Sequence, residues 1–94
     1  MNITDVRIRK LIHPDMNGKQ LCAVVSVTFD DVFVVHDIKV IRGPDRLFIA
    51  MPSKKMENGT YKDIVHPINQ SFRTTIQEAV LASYREAVEE EKNN

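Results

Sequence analysis

The sequence predicts an α+β fold: a four-stranded antiparallel meander with a β-hairpin arm and one long C-terminal amphipathic helix. Three observations carry this. Up to about residue 51 apolar and polar residues alternate with a period of two, as in half-buried strands. After residue 70 the period becomes 3.6, and Phe72, Ile76, Ala79, Val80, Ser83, Tyr84 and Ala87 fall on one helical face. Two Asn-Gly pairs, Asn17-Gly18 and Asn58-Gly59, supply residues that tolerate the positive φ of two-residue hairpin turns.

In chain order, residues 2–12 read as the first strand, with Thr4, Val6, Ile8 and Ile12 on one side and Asp5, Arg7 and Arg9 on the other. Pro14 ends it, and Asn17-Gly18 turns the chain. The second strand runs from Leu21 to Phe29, with Ala23, Val25, Val27 and Phe29 facing one way. Asp30-Asp31 marks a turn without the help of glycine. Phe33 to Ile41 is a third strand rich in β-branched residues, and Arg42-Gly43-Pro44-Asp45 is the next turn. Arg46 to Met51 is a short fourth strand stopped by Pro52. Pro67 bars an earlier helix start, Asn69 or Ser71 can cap the first turn, and residues 70–90 hold neither Gly nor Pro. That span is about 31 Å long as a helix. Residues 89–94 form a frayed acidic tail, so residues 1–94 read as one domain.

A chain of 94 residues buries roughly two-thirds of its unfolded surface, enough for one modest core and no deep substrate cavity. No apolar window approaches the roughly eighteen residues that span a bilayer, and no secretory signal opens the chain. The lone Cys22 has no intrachain partner, so a buried structural thiol and a cytoplasmic location are expected, with no membrane contact. Zero net charge hides an uneven layout. From Lys39 to Arg73 seven basic residues face three acidic ones, and from Ile76 onward two basic residues face five acidic ones. A domain-wide basic balance, the usual footprint of a nucleic-acid binder, is missing, so such binding needs a local patch.

The segment from Ser53 to Asp63 is the most informative. A two-residue turn at Asn58-Gly59 pairs Lys55 with Lys62 and Lys54 with Asp63. Opposed lysines stand about 5 Å apart at Cβ, where like charges destabilise, and a phosphate between them relieves that repulsion. The plain alternative is a solvated arm whose lysines splay into water.

Three blocks resemble the signature segments of the SpoVG family. They are Phe33-Val34-Val35-His36-Asp37-Ile38-Lys39-Val40-Ile41, then Leu47-Phe48-Ile49-Ala50-Met51-Pro52-Ser53-Lys54-Lys55, then Tyr61-Lys62-Asp63-Ile64-Val65-His66-Pro67-Ile68-Asn69. The likeness continues into Arg73 and Ile76-Gln77-Glu78-Ala79-Val80; it departs at Arg46, where a small residue is the family pattern. The resemblance implies a bacterial regulator of sporulation, septation and gene expression that binds DNA, and RNA as well, as a homodimer. It points to Lys54, Lys55 and Arg73 as phosphate contacts, beside Lys62 from the arm's pairing.

Other chemistries fit less well. His36 alternates with Val34 and Ile38, so it reads as a neutral interior histidine. His13, Cys22, His36 and His66 lack the paired spacing of a zinc site, no cofactor motif is present, and nothing activates Cys22 as a nucleophile. No enzyme is expected. Leu81, Tyr84 and Val88 form a second helical stripe, read as a dimer contact if one small sheet leaves it uncovered. Two classes of function stand: a nucleic-acid-binding regulator, and a protein-interaction adaptor in division, which the neutral charge favours.

Overall fold

The computed structural model describes residues 1–12 and 20–92. The expectations for His13, Pro14 and the Asn17-Gly18 turn fall outside those residues. Strands β1 (Ile3–Leu11), β2 (Leu21–Phe29), β3 (Phe33–Arg42) and β4 (Leu47–Ala50) form one antiparallel sheet in the order β1-β2-β3-β4. β5 (Ser53–Lys55) and β6 (Tyr61–Asp63) make a separate two-stranded hairpin, and α1 (Gln70–Lys92) follows. The α+β class and the meander stand as read. The fourth strand is shorter than read, and α1 stays helical through Glu89 to Lys92, where fraying was expected.

The helix covers one face of the sheet. Ile76, Val80 and Leu81 pack with Ala23, Val25, Val27, Ile38, Val40 and Ile49 in a buried core. Each large side chain so removed from water contributes roughly 1.5–3 kcal/mol. Asn69 starts the helix: its Oδ1 accepts the Phe72 N–H at 2.9 Å, and its carbonyl takes the Arg73 N–H at 3.1 Å.

Bulges shift the faces of two strands. In β1 the pairing slips between Ile3 and Asp5 and again between Ile8 and Lys10. Ile3, Val6, Ile8 and Leu11 therefore pack on the core, while Thr4, expected there, is exposed. In β3 the register changes opposite Ser26, where Asp37 sits at φ 63°. The slip returns Val35, Ile38 and Val40 to the core side and turns His36 outward, correcting its reading as an interior residue. It remains partnered, since His36 Nδ1 and the Ser26 hydroxyl form a hydrogen bond of 2.8 Å. Cys22 is fully buried, as expected.

The Asp30-Asp31 turn holds although neither residue is glycine. Their φ angles are 51° and 57°, as a primed hairpin turn requires, and Val32 N–H reaches the Phe29 carbonyl at 3.0 Å. The neighbouring strand braces it: Asn2 N–H donates to Asp30 Oδ1 at 2.9 Å, and Asp31 N–H donates to Thr4 Oγ1 at 2.9 Å.

Candidate nucleic-acid interface

The β5–β6 arm grows from the end of β4 through buried Met51 and half-buried Pro52, whose carbonyl accepts the Ile64 N–H at 2.8 Å. Its loop holds three residues, Glu57-Asn58-Gly59, where two were expected. Gly59 N–H bonds the Met56 carbonyl at 3.0 Å, Met56 N–H bonds the Thr60 carbonyl at 2.7 Å, and only Gly59 takes positive φ, at 88°. This is a turn followed by a glycine bulge. Asn58 contributes its side chain, its Oδ1 accepting from Thr60 N–H at 3.1 Å and Thr60 Oγ1 at 2.6 Å.

One extra loop residue moves the register by one. The pairs are Ser53 with Asp63, Lys54 with Lys62, and Lys55 with Tyr61. The expected Lys55–Lys62 and Lys54–Asp63 pairs are therefore corrected. Two opposed ammonium groups survive, but Lys54 is the one that faces Lys62. On the other face Lys55 stands beside Tyr61, an aromatic ring 69% exposed. Lys54, Lys55 and Lys62 are brought together on this arm. Arg73 is not part of that cluster. It lies in the early turns of α1 and lines a cleft of about 320 Å³ with Arg46 and Gln70.

Sequence reading missed several residues. Tyr61 was legible, since an aromatic in a polar arm between Lys55 and Lys62 has no core to reach. Lys10 and Lys39 were not. The sheet register places both opposite Val24, so they flank it on one face of the sheet. The face away from the helix also carries Arg7, opposite Ser26 and ion-paired to Asp5 at 3.7 Å. No single strand's pattern shows such a row.

Of the Leu81-Tyr84-Val88 stripe, the chain itself takes up Leu81 and part of Tyr84, while Val88 stays half-buried outside the core. Leu81 is 7% exposed within the core, and Tyr84 packs against that core. Burial pushes the Tyr84 phenol above its usual range, and the Cys22 thiol beside it adds to the shift. An uncovered stripe is thus the wrong description of Leu81, which a single sheet does cover. The apolar surface that stays open lies elsewhere. A groove of about 460 Å³ at the start of α1 is walled by Phe29, Met51 and Phe72, and edged by Met1, Phe33 and Ile68. Met1, Phe33 and Ile68 are 76%, 55% and 95% exposed.

Among the described residues no group of three His, Cys, Asp or Glu side chains comes together to hold a metal ion. No helix among them is long and apolar enough to cross a membrane.

Comparison with known proteins gives a consistent result. The SpoVG family model matches residues 1–86. A protein of Clostridioides difficile (strain 630) is 56% identical over 88 residues, covering 94% of this chain and 91% of the relative. One of Alkaliphilus oremlandii is 55% identical over 96 residues, covering 100% and 99%. One of Clostridium acetobutylicum is 58% identical over 92 residues, covering 98% and 93%. Each of the three bears the name "Putative septation protein SpoVG".

Proposed function

The chain belongs to the SpoVG family, and on that premise we propose that it is a small nucleic-acid-binding regulator acting in septation, sporulation and gene expression. The observation that carries this is Lys54 directly opposite Lys62 on an exposed arm, with Lys55 and Tyr61 on its other face. Like charges placed directly opposite each other across two strands destabilise the pair. Neither lysine forms an ion pair among the described residues, so nothing in the fold repays that cost. A phosphate between the two ammonium groups does, and the exposed Tyr61 ring offers a base a surface to stack on. Such contacts position DNA or RNA without specifying its sequence.

The test is fluorescence anisotropy with a labelled duplex between about 50 and 200 mM salt. Lys54→Ala or Lys62→Ala flattens the slope of log K against log salt by about 0.9 for each duplex phosphate that the lysine neutralises. Wild-type affinity in a folded Lys54/Lys55/Lys62 triple-alanine variant would move the interface off the arm, to the Lys10–Lys39 face or the Arg46–Arg73 cleft. No complex with the wild-type chain at the lowest salt would sink the reading and leave the adaptor role in division.

The same reading includes a homodimer, supported by the groove at the start of α1 and not by the helical stripe. At roughly 150 Å² for a large apolar side chain, Met1, Phe33 and Ile68 offer on the order of 350 Å² of apolar surface. A standard interface takes about 800 Å² from each partner, a little over half of it apolar. Ile68 projects beside the groove, so a twofold axis can seat each copy's Ile68 in its partner. Sedimentation equilibrium should give twice the 10.8 kDa chain mass. Ile68→Asp, at an exposed position, should give the monomer without unfolding it. A wild-type monomer at micromolar concentration overturns the homodimer, and a dimer unchanged by Ile68→Asp overturns this face.

A further inference from the structure

We propose that the cleft between β4 and the early turns of α1 is a phosphate seat built by Arg46 and Arg73, separate from the basic arm. The proposal rests on the nucleic-acid reading for the source of the phosphate, though not for the existence of the seat. Arg46 comes from the turn before β4 and Arg73 from the helix, 27 positions later, yet both guanidinium-bearing residues line one cavity of about 320 Å³. Neither forms an ion pair among the described residues. Two cations drawn to one cleft without a counter-charge weaken a fold unless an anion completes them.

The polar part of the remaining lining points the same way. No Asp or Glu lines the cleft; Gln70, Thr74 and Gln77 do, beside the apolar Phe48 and Ile49. Gln77 Oε1 accepts the Ile49 N–H at 3.3 Å, and the same side chain carries two amide N–H donors. The Thr74 hydroxyl donates to the Gln70 carbonyl at 3.1 Å. Two guanidinium forks and two side-chain amides make a set dominated by donors, the complement of a phosphate's oxygens. The helix end is not the basis of the site, because Asn69 already occupies the Phe72 and Arg73 N–H groups. The donor set fixes the ligand as a phosphate group, and the nucleic-acid reading makes its source a nucleotide, either within a polynucleotide or free.

The test titrates the whole chain at low salt with inorganic phosphate and with 5′-AMP, following the backbone amides of Gln70 to Gln77 by NMR. Saturable shifts that vanish in Arg46→Ala and Arg73→Ala are the expected result. Arg46→Ala should also flatten the salt slope of duplex binding by about 0.9, and Arg46→Lys should restore most of that slope by restoring the charge. A folded chain whose cleft amides ignore both probes overturns the seat, whatever the arm does. Saturable shifts with an unchanged duplex slope in Arg46→Ala keep the seat and overturn the polynucleotide as its ligand. Should the wild-type chain bind no duplex while the cleft still answers 5′-AMP, the nucleic-acid reading fails and the seat stands as a free-nucleotide site.

Discussion

Asp37 shows how a single backbone angle redirects a strand. At φ 63° it occupies the left-handed region, which aspartate tolerates and β-branched residues resist. Asp37→Gly removes that steric cost but adds unfolded-chain entropy, so the two effects, each under about 1 kcal/mol, nearly cancel. Asp37→Val keeps a side chain where the backbone rejects it and should cost about 1–3 kcal/mol. In a domain of this size the valine variant should melt several degrees lower, at roughly 4–8 °C per kcal/mol, with the glycine variant close to wild type. Equal melting of the two would remove Asp37 as the cause of the bulge. The same residue explains why His36 was misplaced by sequence reading. Phe33 to Ile41 reads as an unbroken strand because no glycine or proline interrupts it, and the bulge arises only on pairing with β2. Ala23, Val25, Val27 and Phe29 were legible because no slip falls within β2's own alternation.

At the scale of the element, the arm's register turns on its loop. Asn58-Gly59 announces a hairpin correctly, but the pair fits two loop lengths, and local sequence does not choose between them. Asn58 bonding Thr60 and the Gly59 bulge settle on three residues, so Lys54 and not Lys55 faces Lys62. Stability and binding therefore oppose each other at one position. Lys62→Glu turns a repulsive cross-strand pair into an attractive one, worth about 0.2–1 kcal/mol to the arm. The variant should melt no lower than wild type yet bind a duplex more weakly, with a salt slope reduced by at least about 0.9. Binding that improves with the added carboxylate would show that the arm does not touch phosphate. In α1 the apolar period was readable and the width of the buried face was not, because that width depends on how far the sheet extends beneath it. Leu81→Asp is accordingly a folding mutation: a charge placed in the core, expected to unfold the chain and not to separate two copies.

Across the whole molecule, the parts visible in sequence are those made by near neighbours, and the parts hidden from it are those made by approach. Strands, turns and helix follow local periodicity. The Arg46–Arg73 cleft, the Lys10–Lys39 row and the apolar groove each join residues far apart in the chain. The arm also sits apart from the sheet, with every residue from Lys54 to Ile64 exposed. That arrangement has a kinetic side. A two-stranded hairpin is marginal alone in water, so its amides should exchange with deuterium through small local openings, while the interior of β2 waits for global unfolding. Neutralising the Lys54–Lys62 repulsion holds the arm closed more of the time. A saturating oligonucleotide should therefore slow exchange at Lys54, Met56, Lys62 and Ile64, whose amides face the opposite strand, while leaving Val25 and Val27, already the slowest, little changed. Protection that appears across the outer sheet and misses the arm would assign the binding surface to Lys10 and Lys39. The arm thus reports its own occupancy through a clock that runs without any substitution in the chain.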